Sequence, residues 1–110
     1  MSNAVLCEEF IYSELAGDPH RADLIEVFLT EVPRRVAQMQ HYADLHDWEG
    51  LRRIAHHLKG LAVSYGFGEL TPLAGQLENN LKDGQPEDVI FADLYVLTEM
   101  CGRLRSGLPV

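Results

Sequence analysis

The chain has 110 residues and a formal net charge of −8. That length fits a single domain, 1–110, with room for one modest core but little for an enzyme that needs separate nucleotide and substrate sites. Hydrophobic residues make up 46% and charged residues 24%, the balance of a soluble globular protein, and the acidity disfavours nucleic acid because it repels phosphate backbones.

No apolar run approaches the roughly 20 residues of a membrane helix. The N-terminus has no basic segment followed by an apolar run, so neither a membrane partner nor a secretory signal is expected. Cys7 and Cys101 are far apart and lack C-x-x-C spacing. They read as thiols in a reducing compartment, and the expected location is cytoplasmic.

In chain order, an amphipathic piece at about 5–14 (Leu6, Phe10, Ile11) predicts a short helix across one end of the domain. "AGDPH" (16–20) then reads as a helix start, with Asp18 as N-cap and Pro19 at the first helical position. From about 19 to 45, Ile25, Phe28, Leu29, Val32, Val36, Met39 and Ala43 recur at helical spacing. Pro33 lies inside this run, where it deletes a backbone hydrogen bond and is expected to kink the helix or loosen a turn.

"LHDWEG" (45–50) breaks the pattern and offers Asp47 as the next N-cap. The second helix, about 47–64, carries the stripe Leu51, Ile54, Ala55, Leu58, Ala62, and "YGFG" (65–68) supplies glycines suited to its C-terminus. The third, about 69–82, carries Leu70, Leu73, Leu77 and Leu81, with Pro72 tolerable in the first turn. "KDGQPED" (82–88) is a turn and a fresh start. The fourth, about 87–105, carries Ile90, Leu94, Leu97, Cys101 and Leu104. No segment reads as a strand. The expected fold is all-α: an antiparallel up-down-up-down four-helix bundle with a short N-terminal helix.

"AHHLKG" (55–60) puts two histidines side by side on the second helix. With the core direction at Leu51, His56 lies about 140° away and points to solvent, while Gly60 lies about 40° from it and Lys59 about 60° on the other side. Arg52 and Val63 share this surface. His57 lies on the opposite flank, about 160° from Lys59. Only His56 has a cation at i+3 and a glycine at i+4 on its own face.

Neutral imidazole is a nucleophile, and phosphoryl transfer needs a positioned nucleophile with positive charge near the phosphoryl oxygens. Lys59 supplies such a charge, and Gly60 leaves a flat floor for a partner's active site. A glycine inside a helix costs roughly 1 kcal/mol against alanine and so calls for a reason. The plain alternative is a solvated helix face.

"AHHLKGLAVSYGFGELTPLAGQLE" (55–78) resembles the core of histidine-containing phosphotransfer (HPt) domains, whose signature is Ala-His-x-Leu-Lys-Gly with a later glycine and a Leu-Glu pair. Ala55, His56, Leu58, Lys59 and Gly60 fill the signature, Gly66 matches the later glycine, and Leu77-Glu78 matches the pair. The likeness covers about 18–82 well and the last helix by pattern. It implies a carrier that takes a phosphoryl group from a receiver aspartyl phosphate onto His56 and passes it to another receiver aspartate, with Lys59 stabilising the group. His57 falls on a variable position. The family does not hydrolyse nucleotide, in keeping with the lack of a Gly-rich phosphate loop here, and it implies no cofactor of its own, with Mg2+ on the partner receiver. Small residues often follow the family's glycine; Leu61, Ala62 and Val63 stand here.

Receiver sites are acidic, so Arg52, Arg53, Gly60 and Val63 are the candidate partner-binding residues, with Arg34 and Arg35 as a possible extension from the first helix. Gln38 and Gln76 are candidate hydrogen-bond donors to the phosphoryl group. The rival function is a helical interaction module that binds and inhibits a receiver or kinase without carrying phosphate. A metal-binding bundle built on His41, His46, His56 and His57 is disfavoured, because adjacent histidines point apart on a helix.

Overall fold

The structure is a computed structural model, and it describes residues 9–108. Four helices, α1 (Ala22–Asp44), α2 (Trp48–Ser64), α3 (Leu70–Lys82) and α4 (Glu87–Cys101), are flanked by two short strands, β1 (Ile11–Tyr12) and β2 (Leu104–Arg105). In the helical bundle, α1 packs on α2 and α4, and α3 packs on α2 and α4. The helical stripes expected from sequence meet inside it. Ile25, Phe28, Val32 and Met39 of α1 join Leu51, Ala55, Leu58 and Ala62 of α2, and Ile90, Leu94 and Leu97 of α4 close the core. Val36, Leu29, Ile54, Leu73 and Leu81 sit at its half-buried edge. Phe67, outside every stripe, is fully buried and stacks on Phe28 at 5.7 Å between ring centroids.

Local chemistry sets the helix ends. Asp47 caps α2 as expected, its carboxylate accepting the Gly50 N–H at 3.0 Å. At the other end the Gly66 N–H bonds the Val63 carbonyl and the Phe67 N–H bonds the Ala62 carbonyl, the two-bond closure that needs a left-handed residue between them. Gly66 supplies it with φ of +82°. The tight turn points the chain straight into α3 and so places α3 beside α2.

Three expectations fail at the ends of the bundle. Part of the expected helix at 5–14 lies outside the described residues, and its described part is not helical. Ile11 and Tyr12 instead pair in parallel with Leu104 and Arg105. The segment is anchored by the Glu14 N–H to the Gly66 carbonyl and by the Ser13 hydroxyl to the Tyr65 carbonyl. A side chain at Gly66 would run into Ser13 and the backbone of Glu14 and Leu15, so the glycine serves this crossing as well as the cap.

The first helix begins at Ala22 rather than 19, because the Asp18 carboxylate takes the His20 N–H and the Asp18 carbonyl takes that of Arg21, closing a turn ahead of the helix. The last helix stops at Cys101 because Leu104 leaves it to pair with the N-terminal segment while staying buried. Pro33 does not divide α1, which runs through it.

Candidate functional site

The site lies on the outer face of α2 and the facing side of α3. His56, Gly60 and Val63 are exposed along α2, and the His56 side chain keeps 59% of its exposure. Under it lies Glu78 of α3, only 2% exposed. Glu78 sits one residue beyond the core position Leu77 and one turn beyond Ala74, on the inner flank of an apolar stripe where a carboxylate survives only if it is paired.

Its partners converge from two helices. His56 Nδ1 is 2.9 Å from Glu78 Oε2, and Lys59 Nζ donates to Glu78 Oε1 at 2.7 Å. Lys82 Nζ lies 3.5 Å away and Arg52 Nη1 3.9 Å away. Burial alone would raise the carboxyl's pKa. The bonds from Lys59 and His56 outweigh it and hold the group at about 2, below its ordinary 4.5. Glu78 is therefore ionised at neutral pH and can only accept hydrogen bonds. The hydrogen between it and His56 therefore sits on Nδ1, so in the neutral ring Nε2 is the nitrogen that carries the lone pair. The two ring nitrogens lie on opposite edges of the imidazole, so Nε2 faces away from α3.

The other sequence candidates separate. Arg52 is taken up by Glu49, which it binds through both Nε and Nη2. Arg53 is exposed and makes no ion pair among the described residues. A Cβ at Gly60 would meet nothing within 4 Å, so no neighbour in the fold requires a glycine there. Gly75 of α3 gives the Lys59 stem room to lie across it, at 3.6 Å from an added Cβ. Gln76 turns to α4 and donates to Asp93 at 2.8 Å, away from His56. Gln38 is exposed on α1 and has no side-chain partner among the described residues.

On the α1 side, Arg35, His56, His57, Gly60, Leu61 and Ser64 line an open depression of about 410 Å³. His57 belongs to this side, its ring centroid 6.3 Å from that of His56, and is exposed. Glu78 is the functional side chain that the residue-by-residue reading did not single out. The signal was a lone carboxylate against the apolar stripe of α3, and the Leu-Glu pair carried it without a role. Among the described residues no group of three or more His, Cys, Asp or Glu is placed to share a metal ion, and no helix is long and apolar enough to cross a membrane.

A partly exposed histidine thus stands over a buried carboxylate, with cations around both, on the surface of a helical bundle. The family model described as the Hpt domain matches residues 23–107, which covers α1 to β2 and the whole site, and the chain belongs to that family. With membership comes the family-level role of phosphotransfer in two-component signalling, which engages receiver domains in general. No curated protein and no solved structure matches the chain.

Proposed function

We propose that this domain accepts a phosphoryl group on His56 Nε2 from the aspartyl phosphate of a receiver and passes it to the aspartate of another. The observation that carries the reading is the bond between His56 Nδ1 and the ionised Glu78, which makes Nε2 the nucleophilic nitrogen of the neutral ring. The Nε2 lone pair attacks phosphorus as the acyl P–O bond breaks, and the bonding electrons leave with the receiver carboxylate. The ring becomes cationic while Nδ1–H stays on Glu78, so no proton has to move in either direction. Glu78 stabilises that cation and holds the ring in place.

Lys59 uses one of its three N–H groups on Glu78, and the other two remain to meet phosphoryl oxygens. Gly60, Val63 and Arg53 form the surface on which a receiver docks, with Mg2+ supplied by the receiver. The reading carries with it an antiparallel course of the four helices, supported by connections of only three to five residues between them, and a cytoplasmic setting where receivers work.

The test is label transfer from a panel of phosphorylated receivers. The label on this domain is expected to be acid-labile, lost in His56→Gln and kept in His57→Gln. Persistent label in His56→Gln would overturn the assignment. Binding without any label would instead favour a non-phosphorylated inhibitor module.

A further inference from the structure

The two flanks of the His56 ring differ in how their charge is committed. On the α3 flank, Arg52, Lys59 and Lys82 all lie within 4.0 Å of Glu78, and Arg52 is also bound by Glu49. On the α1 flank stands Arg35, which makes no ion pair or side-chain hydrogen bond among the described residues. Its Nε is buried with no hydrogen-bond partner among the described residues. A buried guanidinium N–H without an acceptor is uncommon in a folded protein and marks a demand that something else fulfils.

Arg35 and His56 both line the open depression on the α1 side, and Glu78 is not among its lining residues. A water's share of liquid volume is about 30 Å³, so this depression of about 410 Å³ has room for a phosphoryl group together with an approaching partner side chain. The other polar groups facing it are His57, which is exposed, and the Ser64 hydroxyl, which already donates to the Gly60 carbonyl. Arg35 is the one cation of this rim.

We propose that Arg35 is the residue that holds the phosphoryl oxygens while His56 carries the group. The inference rests on His56 being the carrier. Guanidinium presents parallel N–H donors that match two oxygens of a phosphoryl group, and it keeps its charge at any working pH. The same molecule displays the mode, since Arg52 grips Glu49 through Nε and Nη2 together. Arg35 Nε is enclosed as it stands, so a turn of the guanidinium would bring it and an Nη onto the phosphoryl oxygens once Nε2 carries them. The covalent step is unchanged: P–N forms, P–O breaks, the electron pair leaves with the donor carboxylate, and Nδ1–H stays on Glu78. Arg35 thus works from α1, opposite Lys59, and the two would embrace the group from both sides of the ring.

Potassium phosphoramidate, a small donor that needs no partner protein, is the probe. It gives up phosphoryl to Nε2 as its P–N bond breaks and ammonia leaves. The full chain, Arg35→Gln and Arg35→Lys are loaded, and the phosphohistidine signal is followed by 31P NMR against pH, with the Arg35 Nε–H resonance followed in the unaltered protein. The groups around the phosphoryl in this titration are Arg35 from α1, Arg52, His57 and Lys59 from α2, and Glu78 and Lys82 from α3.

A bound cation favours the phosphoryl dianion, so Arg35→Gln is expected to raise its second ionisation by ~0.5 pH unit or more, with Arg35→Lys in between. The Arg35 Nε–H resonance is expected to move on loading. An unchanged midpoint in Arg35→Gln, or an Nε–H resonance that stays put, overturns the inference even if transfer from receivers slows, since that pattern places Arg35 on a receiver carboxylate instead. If Arg35→Gln fails to fold, the Arg35→Lys midpoint and the Nε–H resonance decide alone. Failure of His56 to take label from either phosphoramidate or a phosphorylated receiver overturns the carrier reading itself, an outcome distinct from a labelled protein indifferent to Arg35.

Discussion

Gly50 and Gly60 lie ten residues apart on α2, and both forgo the stability an alanine would bring to a helix. Gly50 is buried under Tyr42 of α1, and an added Cβ would come within 2.5 Å of the ring. Gly60 is exposed and would meet nothing. The first glycine is explained by a neighbour inside the fold. The second has no such neighbour and lies open on the surface that carries His56. The same division runs along the whole helix: Leu51, Ala55, Leu58 and Ala62 answer to the core, while His56, Gly60 and Val63 answer to the surface.

The division is tested most severely at His56. His56→Gln is expected to remove all phosphoryl label and to lower the thermal melt by no more than the bond to Glu78, because the rest of the side chain is exposed and the new amide can still donate to that carboxylate. A melt that collapses with the label would show that this residue belongs to the fold as well.

Glu78 belongs to both sides of the division and should betray both. Its carboxyl is depressed from 4.5 to about 2 in the folded protein. A depressed acid contributes stability that is fully present above its unfolded pKa and is lost as pH falls through the folded one. The stabilisation should therefore fade between about pH 4.5 and 2, by on the order of 2 kcal/mol once exposure of its cationic partners is discounted. Urea melts across that range should show the decline, and Glu78→Gln should flatten it. Glu78→Gln should also slow transfer, because an amide holds the Nδ1–H less strongly than a carboxylate does. A variant with an unaltered acid profile would remove Glu78 from the stability account.

Gly50→Ala should cost about 1–3 kcal/mol through overpacking against Tyr42, read from denaturant midpoints, with transfer preserved in the folded fraction. The smallest effect is the most telling. Gly60→Ala should stabilise the domain by about 0.5–1 kcal/mol, since it restricts the unfolded chain and meets no obstacle. It should slow transfer from a receiver yet leave loading by phosphoramidate untouched. Equal rates from both donors would mean that the open floor beside His56 serves no partner.

Helix periodicity placed most of the fold, because apolar side chains at three- and four-residue steps have one way to leave water together. It missed the ends, where the outcome depends on pairing between distant segments. Ile11 and Tyr12 carry no local instruction to meet Leu104 and Arg105, and the contact exists because both segments cross the same end of the bundle. At the site, helix geometry separated His56 from His57 and put Lys59 and Gly60 on the His56 side of α2, where Lys59 also meets Glu78. It offered Arg52 to the partner with no sign of the hydrogen bonds that Arg52 makes to Glu49. It also left Gln76 as a candidate, although that amide is spent on Asp93.

The sequence by itself determined the helical class, the core stripes, the Asp47 cap and the singular position of His56, since each follows from spacing within one helix. Only the tertiary structure decided which nitrogen of His56 is tied to a carboxylate and which cations are already spoken for. Those depend on Glu78, 22 residues further on and brought beside the ring by the turn at Gly66, while the packing of α1 on α2 sets Arg35 in the depression that His56 also lines.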